Sequence, residues 1–287
     1  MTPDELKIVR RAYAMQISAA ARITNKRIED AFATVPREAF LGPGPWPILR
    51  RLKEYVRTPS ADPVYLYTND LVGILPERHI NNGQPSLHAY LLWQAAPRNG
   101  EHVVHIGAGV GYFTAIMAEL AGPTGRVTAI EFNPELAARA AVNLAPYPNV
   151  SVIQGDGSSV AFDDADVIYV NAGATRPTET WLDRLKDGGR LILPLTTNEG
   201  FSRSDANIRR HGAVFLITRA AEKFLAQWIS PVSIFPCEGM RDAESEKALA
   251  TAFKSGDYRR MTRLYRTGDI AAEQCWLHAS DWCLAYE

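Results

Sequence analysis

Three glycines at alternate positions, Gly107, Gly109 and Gly111, lie between the apolar run HVVHI and the helix-like stretch YFTAIMAELA. A strand that turns into a helix through such glycines lets a ligand approach the backbone closely. A dinucleotide fingerprint, G-x-G-x-x-G, needs a further glycine at 112, because the pyrophosphate and close helix packing leave no room for a large side chain. Tyr112 stands there, and no G-x-x-x-x-G-K-[ST] loop is present. The spacing argues against NAD, FAD and nucleoside triphosphates and suits a smaller adenosine cofactor without a pyrophosphate. Two acids follow in order. Glu131 ends the next apolar run, 24 residues after Gly107, where a carboxylate can accept from both ribose hydroxyls. Asp156, flanked by Gly155 and Gly157 after the run VSVIQ, can accept from an adenine amino group. With Ala108, Tyr112, Phe132 and Gly157 beside them, these residues make up the expected cofactor-binding set.

Such a set works only if strands and helices alternate, because ligands of open α/β sheets collect at the C-terminal strand edge. Between about 85 and 194 the chain does alternate. LHAYLLWQAA reads as a helix capped by Ser86 and ended by Pro97-Arg98-Asn99-Gly100. Then come strand HVVHIG, helix YFTAIMAELA, strand RVTAIEF, helix PELAARAAVNLA, strand VSVIQGD, strand DADVIYVNA, helix TETWLDRLK and strand GGRLILPL. This rhythm predicts an α/β, Rossmann-like fold with a mostly parallel central sheet and helices on both faces. Residues 1 to about 45 carry helical periodicity, at Ile8, Ala12, Met15, Ile17 and Ala20 and again at Ile28, Ala31 and Phe32. Residues 46–86, broken by Pro59, Pro63, Pro76, Gly83 and Pro85, read mostly as loop. After 197, HGAVFLITR reads as a late strand, AEKFLAQW as a short helix and ESEKALATAFKSG as a helix ending at Gly256. The expected organisation is an N-terminal helical and acceptor-loop segment (1–84), a cofactor-binding core (85–225) and a C-terminal extension (226–287) packed on the core or forming a lid or dimer surface.

Composition narrows the function classes. Residues that are 46% hydrophobic and 22% charged can build a sizeable core. Lys and Arg total 31 against 32 Asp and Glu, so no overall positive field favours nucleic acid. No run reaches the 18 or so apolar residues of a membrane span, and the N-terminal stretch does not read as a secretory peptide. Cys237, Cys275 and Cys283 lack a C-x-x-C spacing and suit a reduced, cytoplasmic chain without structural zinc. Arg259, Arg260, Arg263 and Arg266 form a positive patch, read either as one side of a helix or as a solvated face paired with nearby acids. Trp276, Trp282 and Tyr286 suggest a packed lid or a dimer surface.

In order along the chain, HIGAGVGYFTA, AIEFNPELAARAAVNL, NVSVIQGDG, DVIYVNAGA and WLDRLKDGGRLILPL resemble the successive motifs of class I S-adenosylmethionine-dependent methyltransferases. They are most similar to those of the protein-L-isoaspartate (D-aspartate) O-methyltransferase family. RIEDAFATVPREAF, residues 27–40, resembles that family's N-terminal motif ending in V-P-R-x-x-F. The resemblance spans roughly residues 22–220. It implies S-adenosyl-L-methionine as donor, S-adenosyl-L-homocysteine as product and methyl transfer to a carboxylate. It further implies that Gly107, Gly109 and Gly111 frame the methionine portion, Glu131 the ribose and Asp156 the adenine.

The chain departs from the family where the acceptor should bind. The family's G-Q-T-I-S-Q-P corresponds to HINNGQP, residues 79–85, and Gly83 stands in place of the serine implicated in catalysis. A register shifted onto Gly83-Gln84 would instead leave Ser86 near the site. A carboxylate acceptor is already anionic and needs donors to orient it rather than a base. His79, Asn81, Asn82, Gln84 and Ser86 are the candidates, with Asn171 at the tip of the fourth strand as either a ligand contact or a turn cap. A hydroxyl or amine acceptor would call for a base, for which His79 and His88 are available, His88 lying within an apolar helix. His105, inside a strand, reads as structural.

Four functions fit these residues. The leading expectation is O-methylation of a carboxylate on a peptide or peptide-like small molecule, by a monomer or homodimer without nucleic-acid or membrane partners. Genuine isoaspartate repair, N- or O-methylation of a specialised metabolite, and a non-catalytic donor-binding module are the alternatives.

Overall fold

The computed structural model describes all residues except 51–53, 79, 199–211, 235 and 237–240. The chain divides into two compact units, Met1–Glu101 with Ala108–Gly155, and His102–Gly107 with Asp156–Glu287.

In the first unit, helix α1 (Pro3–Ala21) begins at a reciprocal cap: the Glu5 N–H donates to the Thr2 hydroxyl and the Thr2 N–H to the Glu5 carboxylate. Its buried face is Tyr13, Ala14, Ile17 and Ser18, so Ile8 and Met15 of the expected apolar stripe are exposed. Helix α2 (Lys26–Thr34), capped by Asn25, buries Ile28, Ala31 and Phe32 as its periodicity predicts. Residues 46–86 are not mostly loop. They hold strands β1 (Pro47–Arg50), β2 (Glu54–Arg57), β3 (Leu71–Leu75) and β4 (Ile80–Asn81), antiparallel in the order β2-β1-β3-β4. At two to five residues, with prolines between them, they are too short to show a period of two. Helix α3 (Pro85–Ala95) follows, with Gln84 rather than Ser86 at its N-cap and Pro85 as its first residue.

The alternating region forms as expected: β5 (His102–Ile106), α4 (Tyr112–Ala121), β6 (Arg126–Glu131), α5 (Pro134–Asn143), β7 (Val150–Gln154), β8 (Ala165–Val170), α6 (Glu179–Arg184) and β9 (Leu185–Thr196). β6 and β7 pair in parallel in the first unit. In the second unit β5 pairs with β8 and β8 with β9, both in parallel. This is a Rossmann-like α/β fold, whose parallel strands are extended by antiparallel ones. β10 (Gly212–Ala220) pairs with β9, and β11 (Lys223–Pro231) with β10. AEKFLAQW is therefore strand rather than helix, its Phe224 and Ala226 buried and Leu225 exposed at a period of two. Helix α7 (Ala243–Ser255) runs from its Asp242 cap to Gly256 as expected, and β12 (Arg263–Tyr265), β13 (Cys275–His278) and β14 (Cys283–Ala285) complete the unit. Among the described residues no helix is long and apolar enough to cross a membrane.

Trp276 packs among Phe215, Phe253 and Tyr258 at ring separations of 5.4–5.7 Å, and Trp282 is buried. The arginines of the patch do not line one side of a helix: Arg259 ends a one-turn 3-10 helix (Asp257–Arg259) and Arg263 opens β12. Arg259 lies over Trp228 and Arg260 over Tyr286, while Arg266 pairs with Glu179 and Asp183, so three of the four charges serve the fold. Cys275 and Cys283 are buried free thiols, and burial, then the Cys275 thiol, pushes the Cys283 thiol up and keeps it protonated. Cys237 lies outside the described residues.

His105 is fully buried in β5 against Tyr169, and burial pushes its imidazole down from 6.5 to about 3. The native state therefore keeps it neutral while the unfolded chain takes up a proton. Its contribution is complete above pH 6.5 and is lost as pH falls toward 3. Urea unfolding between pH 4.5 and 6.5 should show wild type losing about 1.4 kcal/mol more per pH unit than His105→Gln. Parallel slopes would mean that His105 titrates normally in the fold.

Candidate active site

The first unit carries a glycine turn with a carboxylate beside it. Glu131 ends β6, and its carboxylate accepts from the Gly109 N–H at 2.7 Å and from the Asn133 N–H at 2.9 Å. A carboxylate carries about four acceptor positions and no donor, a chemistry that suits a vicinal diol. The Ala108 N–H donates to Ile130 O, and the Gly111 N–H to Ala108 O, which closes the turn. Gly111 has φ +94, and a Cβ there would come within 2.9 Å of Leu144, so this position accepts little but glycine. The Tyr112 ring is buried against Phe40 and Phe113, leaving its backbone in the first turn of α4. The Phe132 ring is half exposed beside Glu131.

The same unit sets the acceptor loop next to this turn. Ile74 on β3 lies 3.7 Å from where a Gly109 Cβ would be, and β3 pairs with β4 at Gly73 and Asn81. Asn81 Oδ1 accepts from the Gly83 N–H at 2.9 Å and folds the chain into a tight turn. Asn82 is buried, and its Oδ1 accepts from the Val72 N–H and from Arg37. Ser86 and Asn69 are reciprocally bonded: the Ser86 N–H donates to Asn69 Oδ1, and Asn69 Nδ2 donates to the Ser86 hydroxyl, each at 2.9 Å. Gln84 is exposed at the N-cap of α3, where its side chain makes no capping bond. His79 lies outside the described residues.

Arg37 organises the loop from beneath. It is 0% exposed and donates to the carbonyls of Leu66, Thr68 and Asp70 and to Asn82 Oδ1. Its guanidinium sits about 6 Å from the Tyr13 and Tyr112 rings. No spacing marks Asn69; Arg37 lies in the V-P-R-x-x-F motif and by type suits the lining of an acceptor groove, but nothing local in the sequence shows its burial beneath the loop.

In the second unit the Asn171 N–H donates to Ile106 O, and its side-chain amide donates to Gly107 O at 3.3 Å, the behaviour of a strand-end cap. Asp156 Oδ1 accepts from both the N–H and the hydroxyl of Ser158, which leaves Oδ2 for a further donor. Gly157 O accepts from the Trp181 indole at 2.8 Å, anchoring the turn after Asp156. Among the described residues no cluster of His, Cys, Asp and Glu is arranged to hold a metal ion.

Residues 11–222 match the family model of protein-L-isoaspartate(D-aspartate) O-methyltransferase. The chain is 33% identical over 235 residues to the protein-L-isoaspartate O-methyltransferase of Ignicoccus hospitalis, covering 79% of this chain and 96% of that protein. It is 31% identical over 243 residues to the enzyme of the same description from Methanopyrus kandleri, covering 78% and 97%. A solved structure of a protein-L-isoaspartate O-methyltransferase superposes with a TM-score of 0.65 at 26% identity, covering 80% of this chain and 66% of that one.

Proposed function

Since the chain belongs to the protein-L-isoaspartate (D-aspartate) O-methyltransferase family, an S-adenosylmethionine-dependent group acting on carboxylates of peptide-like substrates, we propose that its acceptor is the free α-carboxylate of an isoaspartyl residue in a peptide. The observation that carries this reading is the match over 96% of the length of a curated relative. It moves the isoaspartyl acceptor ahead of a peptide-like small acid or a specialised metabolite.

S-adenosylmethionine supplies a methyl group activated by its sulfonium. In the transfer a carboxylate oxygen forms the new O–C bond as the S–C bond breaks, leaving a methyl ester and a neutral thioether, with no proton to remove. The residues therefore act by position and field. Glu131 would accept from the ribose hydroxyls, and the turn through Gly107, Gly109 and Gly111 would accommodate the methionine portion. Asp156 would accept from the adenine amino group. Asn81, Asn82, Gln84 and Ser86 shape the acceptor turn, and their fixed dipoles orient one carboxylate oxygen. Asn171 holds Gly107 in place. The buried free thiols support a reducing compartment, the cytoplasm, and the chain works there as a monomer or homodimer.

Calorimetric titration with S-adenosylhomocysteine, followed by labelled-donor assays on isoaspartyl peptides, C-terminal carboxylates and small acids, tests the reading. Saturable product binding and label on isoaspartyl peptides is the expected result. Label confined to small acids would transfer the site to a metabolite, and a folded protein giving no heat or thermal shift would remove donor chemistry altogether.

A further inference from the structure

Gly83 and His88 form a matched pair at the entry to α3. Gly83 has φ +74, and a Cβ added to it would lie 2.9 Å from His88 Cδ2 and closer still to Nε2. The imidazole thus fills the volume into which any side chain at 83 would point. Three constraints give that ring one place. Its backbone sits in the first turn of α3, where the His88 N–H donates to Gln84 O at 3.2 Å. Its face stacks on Phe113 at 3.7 Å with 22° between planes, and the residue is only 2% exposed. The other polar side chains around the turn have their own tasks, Asn81 on the Gly83 N–H, Asn82 on Val72 and Arg37, and Ser86 on Asn69.

We propose that His88 is the positioning residue of the acceptor turn, acting through Gly83. From the helix it supplies the support that a side chain at 83 would supply from the loop. It holds the turn through residues 81–84, whose one left-handed position is Gly83, and makes glycine obligatory there. The inference rests on the proposed carboxylate acceptor and adds a specificity element to that site: the turn offers backbone and amide groups, with no hydroxyl at 83, to the incoming carboxylate. A ring buried at this depth works by fixing the turn, so its loss should weaken acceptor binding and leave the donor side unchanged.

The test is a double-mutant cycle of Gly83→Ser, His88→Ala and the pair, read by acceptor KM and kcat, by calorimetric affinity for S-adenosylhomocysteine and by Tm. Each single substitution is expected to raise acceptor KM about tenfold, the scale of one lost hydrogen bond, with product affinity unchanged. The double variant, in which the serine enters the vacated volume, should recover most of that loss. Singles that simply multiply in the double variant, a His88→Ala enzyme with wild-type KM, or product affinity falling in step with KM would each overturn the proposal. Wild-type enzyme inactive on isoaspartyl peptides but active on another carboxylate would overturn the substrate reading alone, and the cycle would then be run on that acceptor. The Tm coupling needs no acceptor: Gly83→Ser must destabilise the wild-type background more than the His88→Ala background, and equal losses would refute the contact.

Discussion

Arg37→Ala is expected to lower the unfolding free energy by about 3–5 kcal/mol, among the largest effects of any single substitution in the chain. The guanidinium is wholly buried and satisfies three backbone carbonyls and the Asn82 amide oxygen, spread over residues 66–82. Its removal takes this donor from the three carbonyls, while Asn82 Oδ1 keeps the Val72 N–H; each unsatisfied buried group costs roughly 1–3 kcal/mol before relaxation, and a cavity opens between the Tyr13 and Tyr112 rings. Arg37→Lys keeps the charge without the planar fork. It should reach one or two of the four oxygens and recover less than half of the loss. Urea unfolding at constant pH, comparing midpoints at unchanged slope, checks both. The functional consequence follows from Asn82: without Arg37 the strap that carries Asn81, Asn82 and Gly83 loses its anchor, so acceptor KM should rise even where the variant stays folded.

Glu131→Ala is expected to weaken S-adenosylhomocysteine binding by at least about 100-fold, because two hydrogen bonds from a ribose diol to a carboxylate are lost together. Glu131 is 8% exposed and already receives the Gly109 and Asn133 N–H groups, so it fixes the glycine turn in addition to its proposed ribose contact. Glu131→Gln retains one acceptor oxygen but turns an NH2 toward one of those N–H donors, and about tenfold weakening is the intermediate result expected. Calorimetry on folded variants measures both. An alanine variant within threefold of wild type would remove Glu131 from the donor site.

Much of this was legible because the controlling interactions are local. Gly111 needs a left-handed φ at a strand-to-helix turn, Glu131 terminates a six-residue strand, and α7 is bounded by an Asp cap and a Gly stop, each a feature carried by adjacent residues. What stayed hidden depends on distant partners. The two-residue β4 exists because β3 offers Gly73 and Leu75 to pair with it. The face of α1 is chosen by neighbours such as Phe32 and Tyr67, which take Tyr13 and leave Ile8 and Met15 in solvent. In sequence β11 reads as a helix because eight residues with scattered apolar positions suit both periods until β10 and β12 pair with it. The candidate acceptor residues were found by type, but their division of labour was not. Asn81, Asn82 and Ser86 look alike in sequence, whereas in the fold one closes a turn, one ties β3 to Arg37 and one locks onto Asn69. The His88 contact that makes Gly83 obligatory crosses five positions and a change from loop to helix, and no periodicity encodes it.

The proposed destination of the methyl group is an isoaspartyl carboxylate. Two peptides of identical sequence, one with an isoaspartyl and one with an aspartyl linkage at the same position, test it when incubated with the protein and methyl-labelled S-adenosylmethionine. Label is expected on the isoaspartyl peptide alone, released as methanol under mild base as a methyl ester requires. Equal labelling of both peptides, or label that survives base, would contradict this assignment.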